Sequence, residues 1–301
     1  MAESKIVVYG AIAANVAIAV TKFVVAGMTG SSAMLSEGIH SAVDSGNGVL
    51  LLIGMHLSRR PATADHPFGH GKELYFWSLI VAVLIFGLGG GVSFYEGLLH
   101  WREPAAVEDA TWNYVVLAAA ALFEGTSFGI ALREFLRQSG DRPFWSALVG
   151  SKDPSTFTVL VEDAAALTGL AIAAAGVYAS HALGMPRLDG AASMLIGALL
   201  ASVAVLLIRE SRSLLIGEGI RPETARHVRE IALARAAVEE VGTPRSMYVG
   251  RDAVLLTMEV QFRRATPVED VVKAIAQIEH EVRARFPVIR HIYVEASNRG
   301  P

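Results

Sequence analysis

Apolar stretches of helical length recur six times along the chain, at residues 5–28, 34–57, 73–99, 112–137, 156–181 and 190–213. A hydrocarbon core needs ~20 apolar residues of α-helix, so each stretch is long enough to span. Near Ile216 the pattern changes: charges become frequent and apolar positions fall into short periodic sets. The pattern predicts a membrane all-α bundle of six transmembrane helices over 1–215, followed by a small α/β domain over 216–301.

The small domain reads α-β-β-α-β, a ferredoxin-like arrangement. Ala225, Val228 and Ile231 share one face of a helix running from Pro222 to Ala234. Arg245–Val249 and Val254–Phe262 flank Gly250-Arg251-Asp252 as a hairpin. Leu256, Met258, Val260 and Phe262 alternate with Thr257, Glu259 and Gln261, the signature of a half-buried strand. Thr266-Pro267-Val268-Glu269 predicts a helix start with Thr as cap, Pro at the first position and Glu closing a capping box. Val268, Val271, Ile275, Ile278 and Val282 continue at helical spacing. Pro287 ends that helix, and Val288–Glu295 is the last strand.

Composition supports the bilayer. The chain is 52% hydrophobic and 18% charged, whereas soluble domains carry about 25% charged residues. A net charge of -3 argues against nucleic acid as a partner. Cysteine is absent, so any metal is held by His, Asp, Glu or backbone oxygen. Glu3 and Lys5 make the N-terminal stretch a first span rather than a cleaved leader. Arg59, Arg60 and Lys72 lie between the second and third stretches, and Arg133, Arg137, Arg142 and Lys152 lie between the fourth and fifth. The opposite loops are poor in base, which predicts cytoplasmic termini and a cytoplasmic α/β domain.

Against this apolar background a few polar groups stand out. His40 and Asp44 are one turn apart in the second stretch, with Glu37 and Asn47 near the same face. Asp163 sits in the fifth, with Glu162 beside it. An ionisable group at the centre of a bilayer costs at least ~2.5 kcal/mol and is rarely there without a task. Imidazole facing carboxylates across two helices is a divalent-cation site or a proton relay; the competing reading is a hydrogen-bonded polar seam. Adjacent residues differ by ~100° around a helix, so Asp163 is the better ligand. Glu162 either reaches the same ion or binds a neighbouring helix. Asp65, His66 and His70 form a possible weaker site in the loop before the third stretch, where Gly69 and Gly71 permit a tight turn. A turn pinned by Lys72 and Glu73 explains that loop equally well. Lys22 is expected to neutralise Glu124 and Glu96 as a structural tie. Gly87, Gly89, Gly90 and Gly91 favour close helix packing, and His227, His280 and His291 are expected at the surface.

The six stretches, the α/β tail, the His40-x-x-x-Asp44 pair and the loop His66-Pro-Phe-Gly-His-Gly-Lys72 together resemble the cation diffusion facilitator family of divalent-metal transporters, most closely its zinc transporter nine-like branch. The resemblance implies a homodimer that exchanges metal for protons by alternating access, exporting metal from the cytoplasm. It implies that His40, Asp44 and Asp163 are metal ligands. Val159 stands where the family carries the first ligand of the fifth span, so Asn47, Glu162 or water completes the shell. Thr63 stands where bacterial relatives place the loop-site Asp, leaving Asp65 nearby. Thr257, Val294 and Ala296 stand at the tail's metal positions, which implies a tail without a binuclear site. The resemblance also suggests Lys72 and Glu218 as an interlock between the spans and the tail.

The expected activity is therefore divalent cation/proton antiport, with zinc first and manganese, iron or cobalt as alternatives. His40 is the natural proton carrier. No resident cofactor is expected; the metal is cargo. Expected partners are a second copy, the bilayer, the cation and protons. The expected location is a bacterial inner membrane. The second reading is a non-transporting metal-responsive membrane scaffold. Enzyme chemistry is not expected, since the sequence has no nucleophile–base arrangement, phosphate loop or H-E-x-x-H motif.

Overall fold

A computed structural model describes residues 2–104, 111–139, 144 and 154–297. Helices α1 (Ala2–Thr29) and α2 (Ser32–Ser58) fall on the first two apolar stretches. The third stretch is broken into α3 (Glu73–Leu84), a π-helical segment Ile85–Val92 and α4 (Ser93–Arg102). Helices α5 (Thr111–Ser139), α6 (Pro154–Leu183) and α7 (Arg187–Ile216) follow. Arg142 and Lys152, used above for orientation, lie outside the described residues.

Among the described residues four helical stretches are long and apolar enough to cross a membrane: Glu73–Arg102, Thr111–Arg137, Phe157–Leu183 and Arg187–Ile216. The protein is an integral membrane protein with several such helices. In α1 the described apolar stretch is Asn15–Thr29. Helix α2 is 27 residues long but carries Glu37, His40, Asp44 and Asn47, which dilute its apolar character.

The chain divides into two compact units, residues 1–55 with 75–212, and residues 56–74 with 213–301. In the first, glycines let α4 and the segment before it pack closely on α7. A β-carbon on Gly97 of α4 would stand 2.7 Å from the Gly190 carbonyl oxygen of α7, and one on Gly90 would stand 3.1 Å from the Gly197 carbonyl oxygen. Backbone meets backbone along this seam, as small residues allow in lipid. The π-helical geometry covers Ile85-Phe-Gly-Leu-Gly-Gly-Gly-Val92, where so many glycines weaken the preference for an α turn.

Asp189, buried at the start of α7, holds the N-terminus of α2. Its carboxylate accepts from Ser31 Oγ at 2.7 Å, from the Ser32 amide at 2.6 Å and hydroxyl at 3.1 Å, and from the Ala33 amide at 3.2 Å. A helix begins with amides that lack intrahelical partners and a positive dipole end. One carboxylate from a neighbouring helix satisfies both needs.

The second unit has its own core. Helix α8 (Pro222–Leu233) and helix α9 (Val268–Arg285) cover a sheet of β1 (Val238–Val241), β2 (Arg245–Gly250), β3 (Ala253–Phe262) and β4 (Ile289–Ala296). β3 is central: β1 pairs antiparallel with its C-terminal part and β2 with its N-terminal part, while β4 runs parallel to it. A parallel pair needs a crossover, and α9 provides it. Val254, Leu256, Met258 and Val260 of β3 turn inward, as the alternation predicted.

Three local readings need correction. Strand β1 was not predicted, because Val238-Glu-Glu-Val241 offers two inward valines and no longer alternation. Thr266 does not cap α9: its hydroxyl donates to the Arg263 carbonyl at 2.7 Å, and Pro267 takes the cap position without a side-chain bond. Ala265, at φ 62°, turns the chain just before it. The buried face of α9 also passes through Ala274, Ile278 and Val282, while Val268 at its start is 78% exposed.

The loop of residues 56–74 folds with this unit. Gly69 has φ +84°, a left-handed conformation that glycine tolerates best. Gly71 lies against the β2–β3 turn, where a β-carbon would stand 2.6 Å from both Gly250 Cα and the Val249 carbonyl oxygen.

Two outcomes follow for detergent-solubilised protein followed by thermal unfolding. Gly97→Leu should destabilise by about 3 kcal/mol, because the seam has no room for a side chain. Asp189→Ala should cost about 2 kcal/mol by stranding buried donors, and Asp189→Asn should recover most of it. Wild-type midpoints would contradict both assignments.

Candidate metal site

Helix α2 owes its orientation to a buried ion pair. Lys22 of α1 and Glu37 of α2 are both fully buried, with Nζ 3.0 Å from Glu37 Oε2. The ammonium also donates to Ser41 Oγ at 2.7 Å and stands 3.5 Å from Glu124 Oε1 of α5. Helix α6 makes room through Gly169, where a β-carbon would stand 2.6 Å from Glu37 Oε1. The expected tie of Lys22 to Glu124 is present. Glu37 is the partner that the sequence reading missed, and among the described residues Glu96 is not one of Lys22's ion-pair partners. The missed signal was a lone lysine and a lone glutamate in consecutive apolar helices.

With α2 so fixed, Asp44 faces a cavity of about 170 Å³ shared by α1, α2, α5 and α6. Glu124 and Ser127 line it from α5, and Val159, Glu162 and Asp163 line it from α6. Asp163 Oδ2 accepts from Ser127 Oγ at 3.1 Å. Glu162 also meets a neighbouring helix, accepting from Asn47 Nδ2 at 2.9 Å. His40 lies one turn from Asp44 with Nε2 3.4 Å from Asp44 Oδ2, and is 2% exposed. Among the described residues neither of its ring nitrogens makes a hydrogen bond, and Asp44 Oδ1 makes none either. Val159 occupies the expected ligand position, and it too lines the cavity.

Asp44, Glu162 and Asp163 thus share one cavity, with His40 against Asp44. They are not drawn tightly together: among the described residues no group of three or more His, Asp or Glu side chains stands at ion-enclosing distance. A cation entering here would meet carboxylate oxygens on α2, α5 and α6, with the His40 imidazole against Asp44 and outside the lining itself.

The loop residues belong to the other unit. The His66 and His70 rings lie 4.4 Å apart, tilted by 36°, and His70 Nδ1 is 3.2 Å from the Pro61 carbonyl oxygen. Asp65 is exposed. Phe68 meets His291 of β4 edge-on at 5.2 Å. Lys72 Nζ donates to the Leu215 carbonyl at 3.2 Å, a cation at the C-terminal turn of α7, and is 3.8 Å from Met247 Sδ. Glu218, in the same unit, accepts from Ser213 Oγ at 3.4 Å through its side chain and from the Tyr248 amide at 2.9 Å through its carbonyl.

Comparison with known proteins places this arrangement. The cation efflux transmembrane domain matches residues 8–216. The mitochondrial proton-coupled zinc antiporter SLC30A9 of Xenopus laevis is 34% identical over 236 residues, covering 78% of this chain and 42% of the relative. Metal tolerance protein C4 of Arabidopsis thaliana is 30% identical over 260 residues, covering 86% of this chain and 57% of the relative. Magnetosome protein MamM of Magnetospirillum gryphiswaldense is 25% identical over 297 residues, covering 96% of this chain and 86% of the relative. The chain spans less than half the length of the SLC30A9 relative. With α2, α5, α6 and their shared cavity all inside the matched region, the chain belongs to the cation efflux family.

Proposed function

We propose that the protein is a divalent cation/proton antiporter that exports metal from the cytoplasm by alternating access, with zinc as its first cargo. The observation that carries this reading is His40, a buried imidazole with unpaired nitrogens, held against Asp44 beside the cavity that Asp163 lines from the facing helix. A buried polar group without a partner is costly, and a metal ion is a partner that imidazole and carboxylate accept together. The name of the Xenopus relative, a proton-coupled zinc antiporter, supports the cargo and the coupling.

Binding needs His40 neutral and Asp44 and Asp163 ionised, so protons and metal compete for the same lone pairs. Affinity therefore rises with pH. A pH lower on the far side of the membrane displaces the cation there, and the protonated groups return. His40 carries one proton in this cycle. Asn47, Glu162 or water completes the shell that Val159 leaves open. All six helical stretches span in this reading, with the termini and the α/β unit in the cytoplasm of a bacterial cell and the bundle in its inner membrane. Two copies associate through their α/β units by apolar and salt-bridge contacts, without a binuclear metal site there. Lys72 and Glu218, both in the unit of residues 56–74 and 213–301, brace the loop before the third stretch against the chain leading into the tail. Asp65, His66 and His70 provide at most a solvated, weaker site.

A scaffold that senses metal without moving it is the second reading, favoured by one observation: Val159 lines the cavity where a ligand is expected. Flux separates the two. Proteoliposomes with an imposed pH gradient should take up zinc and release protons; binding without flux would establish the scaffold. Losing a partner of a metal ligand costs about 10–100-fold in affinity, so His40→Ala and Asp163→Asn should each weaken zinc binding by at least about 100-fold in calorimetry. Wild-type affinity in either variant removes that residue from the site.

A further inference from the structure

We propose that Glu124 of α5 is a further ligand of the transported divalent cation, and that the Lys22 ammonium competes with the ion for it. The inference rests on the metal site proposed above and adds a residue from a third helix. Glu124 stands between two environments. Its side chain is 14% exposed and lines the cavity with Asp44 and Asp163, whereas Lys22 and Glu37 are fully buried behind it.

Lys22 holds its two acids unequally. It donates to Glu37 at 3.0 Å and to Ser41 at 2.7 Å, while Glu124 stands at 3.5 Å. One ammonium balances one carboxylate, and Glu37 is the closer. The charge on Glu124 is therefore only partly met inside the protein, although a carboxylate this deep needs a cation. Donor supply points the same way. Val159 contributes no ligand atom, and Glu162 is engaged through one oxygen by the Asn47 amide, whose own Oδ1 is left unpaired among the described residues. Glu124 is the cavity-lining carboxylate whose partner is itself a cation, so a divalent ion can replace that partner directly. His40 and Asp44, each with an unpaired buried atom, mark the side from which the ion is held. Lys22 is then a positioning residue: it keeps Glu124 aimed at the ion's path and eases release by reclaiming it.

The test is zinc calorimetry and cobalt(II) absorption on the purified full chain in detergent. Glu124→Gln should weaken zinc binding about 10–100-fold and shift the cobalt ligand-field bands, which a structural glutamate would leave in place. Lys22→Met with Glu37→Gln removes the buried pair; because that pair also fixes α2, the background is read through the loss that Glu124→Gln causes in it, which should be about 10-fold larger than in the wild type when Lys22 no longer competes with zinc for Glu124. An equal loss in both backgrounds overturns the competition. If the double variant does not fold, the Glu124→Gln affinity and cobalt spectrum decide alone. Wild-type affinity and bands in Glu124→Gln, with His40→Ala and Asp163→Asn defective, overturn this inference and leave the site standing. Wild-type binding in those two variants overturns the site itself.

Discussion

A lysine inside an apolar helix bundle must meet a negative charge, and Lys22 does so with Glu37 at 3.0 Å, both fully buried. Removing two charges from water costs several kcal/mol per ion, and only close geometry with added hydrogen bonds offsets it. Here the hydroxyl of Ser41 completes the ammonium and Gly169 admits the carboxylate. The pair fixes the rotation of α2 about its axis. His40 and Asp44 lie three and seven residues beyond Glu37, so that rotation decides where they point. A helix turned by one residue would carry them away from α6.

The same helix is pinned again at its start. Asp189 gathers the free amides of Ser32 and Ala33 and the hydroxyl of Ser31. One anchor fixes axial position and the other fixes rotation. They reach α2 from opposite ends of the chain's helical region, α1 and α7. Close backbone packing of α4 on α7 through Gly97 and Gly190 then holds the first residues of α7, and with them Asp189. Glycines far from the cavity thereby bear on the position of His40.

Much of this was legible in the sequence. The helical stretches follow from runs of apolar residues, and strand β3 from its alternation, because burial imposes those periods directly. His40, Asp44 and Asp163 stood out as candidates because ionisable groups are conspicuous among apolar ones. Asn47 and Glu162 were legible as candidates, but not their mutual hydrogen bond, which depends on how α2 and α6 face each other. Glu37 and Asp189 were missed for a related reason: their roles are set by partners 15 and 157 residues away. The capping box at Thr266 failed because a local turn to Arg263 competes for the same hydroxyl. Short segments such as β1 carry too few side chains for any period to show.

On the reading proposed above, valine at position 159 in place of a ligand bears on how tightly the cation is gripped. A water molecule occupies about 30 Å³ in the liquid, so a cavity of about 170 Å³ holds several. A cation in such a space keeps part of its hydration, and the protein then has fewer ligands to supply. Among the described residues, carboxylates on α2, α5 and α6 line the cavity and the His40 imidazole lies beside it, against Asp44. Oxygen-rich, partly hydrated sites discriminate among divalent ions less by donor softness than by coordination number. On the antiporter reading, Val159 thus loosens the site in a useful direction. An exporter must release its cargo, and a valine in place of a fourth strong ligand lowers the barrier to release, while Asp44, His40 and Asp163 offer the lone pairs for which metal and proton compete.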